Sequence, residues 1–260
     1  VNIVVLLKQV PSTESFIEIA DNKVSVKTDD FKMVINPYDE YAVEEAIKLK
    51  EAHGGSVTIL SAGLERTIAS IRTALAMGAD SGVLIQDPAV EECDSLGTAR
   101  ILAAALKQIP FDLIIAGQRA VDGDNFQVGI AVAEYLNIPH ISLVTKEEII
   151  DGKIRCHRTV EGGIVVLDAP LPALFTTQRG LNEPRYASLP GIMKAKKKPL
   201  EIKTLADIGL DAEKVGKPKT KIVAMKYPLE KKGGRIIEGE SAQAKAAALV
   251  KILHEESKVI

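Results

Sequence analysis

Ala116-Gly117-Gln118-Arg119-Ala120-Val121-Asp122-Gly123-Asp124-Asn125-Phe126-Gln127-Val128-Gly129 decides how the chain is read. Before it, Asp112-Leu113-Ile114-Ile115-Ala116 is short, branched and apolar, as a strand buried on both faces must be. After it, Ile130-Ala131-Val132-Ala133-Glu134-Tyr135-Leu136 has helical spacing. The stretch is a strand-to-helix crossing. There the first helical amides lack internal partners and sit at the positive end of the helix dipole, which favours an anion such as a phosphate. Gly117, Gly123 and Gly129 allow tight turns and a close ligand approach, and Arg119 offers a planar charged fork. Two readings stand: a phosphate cradle, or a plain crossover turn in which Asp122 and Asp124 cap the helix.

Working outward, the same beat recurs. Residues 2–7 form an apolar strand, and Pro11 closes the segment that follows. Residues 12–35 read as a small hairpin excursion, with alternation at 23–27 and turn signals at Asp21-Asn22 and Asp29-Asp30. Asn36 then caps a helix with Pro37 at its first position and Asp39 and Glu40 in its first turn. Its apolar face is Ala42, Val43, Ala46, Ile47 and Leu49, leaving Glu44, Glu45, Lys48 and Lys50 largely outside. Strands at 56–60, 82–86 and 112–116 alternate with helices at about 65–77 and 94–107. This β-α alternation specifies an α/β fold: a Rossmann-like parallel sheet with helices on both faces. In such sheets ligands lie beyond the carboxyl ends of the strands, so Leu6, Ala62 and the 117–129 loop converge on one crevice. No Gly-x-Gly-x-x-Gly follows the first strand and no P-loop motif occurs, which argues against both a dinucleotide-binding Rossmann unit and a P-loop NTPase.

After Pro139 the grammar changes. Segments 141–150 and 153–158 flank an Asp151-Gly152 turn, a further short strand follows Gly163, and Ala173-Leu174-Phe175-Thr176-Thr177 closes the folded body, so antiparallel strands extend the sheet. His157, beside Arg158 on a hairpin, reads as structural or exposed rather than catalytic. Residues 178–198 are broken by Pro184, Pro190 and Gly191 yet carry Leu181, Tyr186, Leu189, Ile192 and Met193, which suits either a partner-binding loop or a loop folded over its own core. From about 200 the chain is Pro-punctuated and poor in apolar residues until a helix at about 241–254, so a long C-terminal arm is expected to wrap another subunit. The domains are accordingly 1–199, including the loop 177–199, and an arm, 200–260.

Over the 260 residues, 33 Lys and Arg face 35 Asp and Glu, a balance that argues against nucleic acid or an anionic membrane as main partner. No apolar run reaches membrane-spanning length and the start lacks a signal-type block, so a cytoplasmic protein is expected. Cys93 and Cys156 stand far apart without a histidine cluster, suggesting neither a disulfide framework nor a metal site.

Several motifs together resemble one family, the β subunits of electron-transfer flavoproteins, essentially from end to end. They are Asn36-Pro37-Tyr38-Asp39, residues 71–80, the 117–129 loop, Arg158-Thr159-Val160-Glu161-Gly162-Gly163, and Leu181-Asn182-Glu183-Pro184-Arg185-Tyr186 through Lys198. The resemblance implies a heterodimer with an α subunit that holds an FAD, and a nucleotide in the crevice of the β subunit itself. Its contacts would be Leu6, Asn36, Pro37, Tyr38, Asp39, Ala62, Gly117, Gln118, Arg119, Ala120, Val121, Asp122, Gly123, Asp124, Asn125, Phe126, Gln127 and Val128. It also implies that 177–199 is a recognition loop for a dehydrogenase, with Leu189 the anchor and Tyr186, Ile192 and Met193 beside it.

Members serving fatty-acid-type dehydrogenases usually carry AMP and three successive acids in the loop. Bifurcating members carry a second FAD and usually show Asp-Gly-Asp followed by Gln-Val-Gly, as at Asp122-Gly123-Asp124 and Gln127-Val128-Gly129 here. A glycine in place of an acid removes a side chain and a negative charge beside a pyrophosphate, which favours FAD. The expectation is a subunit that takes electrons from NADH and divides them between ferredoxin and a dehydrogenase or quinone pathway, with no catalytic side chain and no metal. The alternative is a pure electron carrier that holds AMP structurally. Asn125-Phe126 and a recognition loop close to the AMP-type pattern keep it open. An ATP-using hydrolase or ligase ranks low for want of a phosphate-activating motif.

Overall fold

The computed structural model describes every residue except 29, 30, 216 and 230–232, and every side chain of those described except that of residue 214. The elements in chain order are β1 (Asn2–Leu6), β2 (Gln9–Pro11), β3 (Met33–Ile35), α1 (Pro37–His53), β4 (Ser56–Gly63), α2 (Thr67–Met77), β5 (Ser81–Gln86), α3 (Ser95–Leu106), β6 (Leu113–Gly117) and α4 (Val128–Leu136). They continue with β7 (His140–Ile150), β8 (Lys153–Val160), β9 (Gly163–Pro170), β10 (Ala173–Thr177), α5 (Leu189–Ala195), β11 (Leu200–Lys203), α6 (Ala212–Val215) and α7 (Ala242–Glu255). The chain forms two compact units. One comprises Val1–Glu18 with Val26–Val223, the other Ile19–Ser25 with Ala224–Ile260.

The first unit is built on a nine-stranded sheet in the order β11-β5-β4-β1-β6-β10-β7-β8-β9. Strands β11 through β7 in that order run parallel, and only β8 and β9 run antiparallel. The sheet is mostly parallel with helices on both faces, as the β-α alternation requires. Successive side chains of β1 show the division: Ile3 and Val5 pack into a core with α1 and α2, and Val4 and Leu6 into a second core with α3 and α4. Two-sided burial is why these strands read as unbroken apolar runs.

Four local expectations differ from the structure. β10 does not close the sheet at its margin; it lies between β6 and β7, and all five of its residues are buried. A strand covered on both faces belongs inside a sheet, whereas β9, exposed along most of its length, takes the edge. The excursion after Pro11 has its regular pairing at its base, Gln9–Pro11 against Met33–Ile35. Around residues 23–27 there is instead a turn in which the Asn22 side-chain oxygen accepts from the amides of Val24 and Ser25. The turn signal at Asp29-Asp30 lies outside the described residues. Glu44 and Glu45 are not outward-facing but 5 % and 4 % exposed, because residues of the 177–199 segment cover that side of α1. Past residue 199 the chain continues the first unit: β11 pairs with β5, and Leu205, Ile208 and Val215 are buried in the α3 side core.

In the second unit, Tyr227 donates no chain-end pairing but accepts the Ile19 amide on its hydroxyl, and Met225 N donates to Lys23 O. Ser241 caps α7 through the amide of Ala244, and no α7 residue is buried.

Phe175 is the largest fully buried side chain, at the centre of the sheet. Truncation to alanine is expected to lower unfolding free energy by about 3–5 kcal/mol, measured by urea denaturation.

Candidate functional site

The site begins with one buried carboxylate. Asp39, in the first turn of α1, accepts the Lys8 amide at 2.7 Å and the Gly117 amide at 3.1 Å, tying the segment after β1 to the end of β6. A Cβ on Gly117 would lie 2.3 Å from the Asp39 carboxylate and 2.8 Å from Tyr38 Cβ, so only glycine permits this approach. Burial pushes the Asp39 pKa up to about 7, although the amides of Lys8 and Gly117, the Asn36 side chain and the Lys8 charge all pull it down.

Asn36 stands before α1 but makes no side-chain cap. Its amide group reaches across to the 118–127 loop, donating to Arg119 O at 2.8 Å and accepting from Val121 N at 3.1 Å. The loop's own charges are paired. Lys8 Nζ meets Asp122 at 2.7 Å and Arg119 meets Asp124 at 2.8 Å. Asp122 and Asp124 therefore do not cap α4, whose preceding residue, Gln127, has no side-chain cap either. Arg119 is also held by the Tyr38 hydroxyl at 2.9 Å, with its guanidinium 5.0 Å from the Tyr38 ring and 4.9 Å from the Phe126 ring. The turn strain falls on Asp124 and Phe126, at φ 53 and 56, and not on Gly123, which lacks a positive φ.

The first α4-type backbone bond is Ala131 N to Gln127 O, and among the described residues the amides of Val128, Gly129 and Ile130 have no protein acceptor. Gln118 Oε1 and Arg119 Nε are buried without partners. Beside them lies a recess of about 180 Å³ lined by Gln118, Phe126, Ile130, Ser142, Leu143 and Thr176. None of these is an acid or a base, so the recess can orient a ligand but not exchange a proton with it. Free amides at a helix start and orphaned polar atoms fit an anionic, polar ligand such as a nucleotide.

Of the residues expected from sequence, Asn36, Pro37, Tyr38, Asp39 and 117–128 come together at the carboxyl ends of β1 and β6. Leu6 and Ala62 end the adjoining strands β1 and β4, and the Leu6 side chain is buried, leaving its backbone to face the crevice. Sequence reasoning missed Lys8, Ser95, which accepts from Asn125 at 3.1 Å, and Thr177, whose hydroxyl donates to Tyr38 O at 2.8 Å. Lys8 could have been found from its place directly after the first strand; the other two partnerships span the fold and leave no local signal.

Tyr186, Leu189, Ile192 and Met193 form a different surface. Tyr186 is 98 % and Leu189 79 % exposed. The segment beneath them is fixed: Arg185 pairs with Glu44 at 2.9 Å and Glu51 at 2.7 Å, and Arg72 of α2 donates to Ala195 O and Lys198 O. A Cβ on Gly191 would sit 2.4 Å from Ala76 O, which brings α5 tightly onto α2.

The family model described as "Electron transfer flavoprotein domain" matches residues 24–208. The chain belongs to the electron transfer flavoprotein β-subunit family. It is 45 % identical over 260 residues, the whole of both chains, to the electron transfer flavoprotein subunit beta of Bacillus subtilis. Proteins of the same name from Thermoanaerobacterium thermosaccharolyticum and Syntrophomonas wolfei are 37 % and 40 % identical. The first match covers 94 % of each chain, and the second 92 % of this chain and 90 % of its relative. β subunits of this family pair with an α subunit, and the family is associated with flavin and AMP. Among the described residues no helix is long and apolar enough to cross a membrane, and no group of three or more His, Cys, Asp or Glu could hold a metal ion.

Asp39 gives a pH test. Its folded value, about 7, lies above the ordinary 3.8, so between these the folded protein keeps a proton that the unfolded chain has released. Its contribution to stability should fall as pH rises across that window and level off above it. Asp39→Asn should remove this slope in urea titrations and lose about 1–3 kcal/mol, because its NH2 group would face an amide donor.

Proposed function

We propose that this chain is the nucleotide-holding and partner-docking subunit of an electron-bifurcating flavoprotein. Paired with an α subunit that bears one FAD, it holds a second FAD in the crevice of β1, β4 and β6. The pair takes electrons from NADH and divides them between ferredoxin and a dehydrogenase or quinone oxidoreductase. The observation that carries this reading is the charge state of the 118–127 loop. Asp122 and Asp124 already have cationic partners, Gly123 adds no charge between them, and the amides opening α4 are free. A diphosphate arriving there meets main-chain donors without an unpaired carboxylate opposite. When bound, the flavin supplies the redox chemistry. The chain's own residues hold and orient: Asn36 fixes the loop, Tyr38 and Phe126 sandwich Arg119, and Gln118 faces the recess.

Phe126 supports a second reading. Its ring covers Arg119 and lines the recess, narrowing the room beside the helix start, which suits the smaller AMP held as a structural ligand. The chain would then be a carrier that docks acyl-CoA-type dehydrogenases. In both readings Leu189, with Tyr186, Ile192 and Met193, is the docking surface, and the exposed apolar residues of the C-terminal arm, Tyr227, Leu229 and Ile236 among them, face the α subunit.

Purified heterodimer should contain two FAD and no stoichiometric AMP; one FAD with one AMP per heterodimer would end the FAD version. Gly123→Asp restores three successive acids. Its Cβ meets only the movable Asn125 side-chain amide at 3.3 Å. Thermal stability should therefore be kept, while FAD retention in this crevice weakens roughly tenfold, the factor that about 1.4 kcal/mol of repulsion produces. Leu189→Ala should weaken dehydrogenase docking by about 2 kcal/mol or more without moving the melting temperature, read from the dependence of electron transfer on heterodimer concentration.

A further inference from the structure

Two adjacent glutamates on α1 are buried, and both face the segment that carries Tyr186, Leu189 and Met193. Glu44 accepts Arg185 N at 3.0 Å, Arg185 Nε at 2.9 Å and an Arg185 Nη at 3.0 Å. Glu45 accepts Asn182 Nδ2 at 2.6 Å, and that same amide group also reaches Tyr41 O at 3.0 Å. On its other side Glu45 contacts a third carboxyl, Glu147 of β7, to which it is hydrogen-bonded. Glu147 Oε2 is buried with no partner of its own, and so is Asn182 Oδ1. Two carboxyl groups can share a hydrogen bond only when one of them carries a proton.

We propose that Glu44, Glu45 and Glu147 form a seat that positions the docking segment, and that one proton shared between Glu45 and Glu147 keeps the seat closed. The inference rests on the docking role given to that segment above. Asn182 and Arg185 are positioning residues: they touch no ligand, and they set where Tyr186, Leu189 and Met193 project.

The surrounding charges define the response. Lys48 Nζ lies 3.3 Å from both Glu45 oxygens and is the one cation acting on Glu147 among the influences described for it. Glu148 adds negative charge beside it, and Cys156, the register partner of Glu147 on β8, is a neutral thiol held high by burial first and by Glu147 second. Burial, then contact with Glu45, push the Glu147 carboxyl up to about 8. Below that value the pair carries one negative charge, matched by Lys48. Above it two carboxylates face each other, and the strain falls on Glu45, to which Asn182 is tied.

The folded value lies above the ordinary 4.5, so the contribution of this group to stability is full below 4.5 and is lost as pH rises through about 8. Glu147→Gln, which stays neutral and keeps a donor for Glu45, should therefore gain in melting temperature relative to the parent as pH rises, with the gap levelling above that value. Hydrogen exchange of the amides in 181–193 reads the seat directly in the heterodimer with its α subunit. In the parent, protection corrected for intrinsic exchange should hold at neutral pH and drop roughly tenfold across one pH unit centred near the Glu147 value. In Glu147→Gln it should stay flat. Protection that does not depend on pH in the parent overturns the proposal whether or not the variant folds, and so does an identical drop in a folded variant. Binding to a purified acyl-CoA dehydrogenase separates the two claims. Leu189→Ala binding as tightly as the parent removes the docking role, while the exchange profile alone decides the seat.

Discussion

The Asp39 carboxylate is the constraint on which the crevice depends. Parallel strands leave their carboxyl-end amides without sheet partners, and a ligand site needs some of those amides fixed and others free. Asp39 takes two of them, Lys8 N and Gly117 N, from segments next to each other in the sheet but far apart in sequence. In doing so it locks the start of α1 against the end of β6. The burial that this demands is also what lifts its pKa, so the tether is bought with a carboxyl poised near neutrality. The absence of a side chain on Gly117 is the other half of the same contact.

From that tether the loop follows. With Asn36 set by Lys8 O, its side chain reaches Arg119 and Val121 and bends the loop over the strand ends. Arg119 is then caught between two rings, and Asp124 and Phe126 accept positive φ to complete the turn. Strained non-glycine backbone persists only where several contacts over-determine it. What remains unsatisfied after all this pairing is a short list of atoms on one side, the amides opening α4, Gln118 Oε1 and Arg119 Nε. Internal order on three sides and open polar atoms on the fourth is the arrangement a bound anion requires.

The sequence carried the architecture well because its signals there are local. Unbroken apolar runs mark two-sided burial, and the glycine-rich crossing after Ile115 marks the end of a strand. What it did not carry is partnership across the fold. Glu44 and Glu45 look like solvent-facing charges when α1 is viewed alone; only the return of the chain at Asn182 and Arg185, over 130 residues later by the separations of 137 and 141 positions, buries them. Asp122 and Asp124 look like caps until Lys8 and Arg119 claim them. β10 reads as one more short strand, and its central place becomes visible only when its fully apolar burial is set against the exposed β9. Each of these errors concerns a charged or polar group whose solvent is replaced by a distant residue, which composition and period do not encode.

Helix α1 joins the two surfaces. Its first turn supplies Asp39 and presents Tyr38 to the loop, and one and two turns later Glu44, Glu45 and Glu51 receive the segment that projects Tyr186 and Leu189. The connection at its far end is ionic and directional where a hydrophobic one would have been permissive. An apolar patch under the segment would tolerate sliding, since burial depends on area and not on angle. A guanidinium held by two carboxylates and a carboxamide held by a third admit essentially one geometry. For a protein that must present a small apolar contact to another redox partner while keeping a crevice in register on the same helix, that directionality is the useful property. It makes the position of Leu189 a consequence of where α1 lies, and the position of α1 is in turn fixed by Asp39.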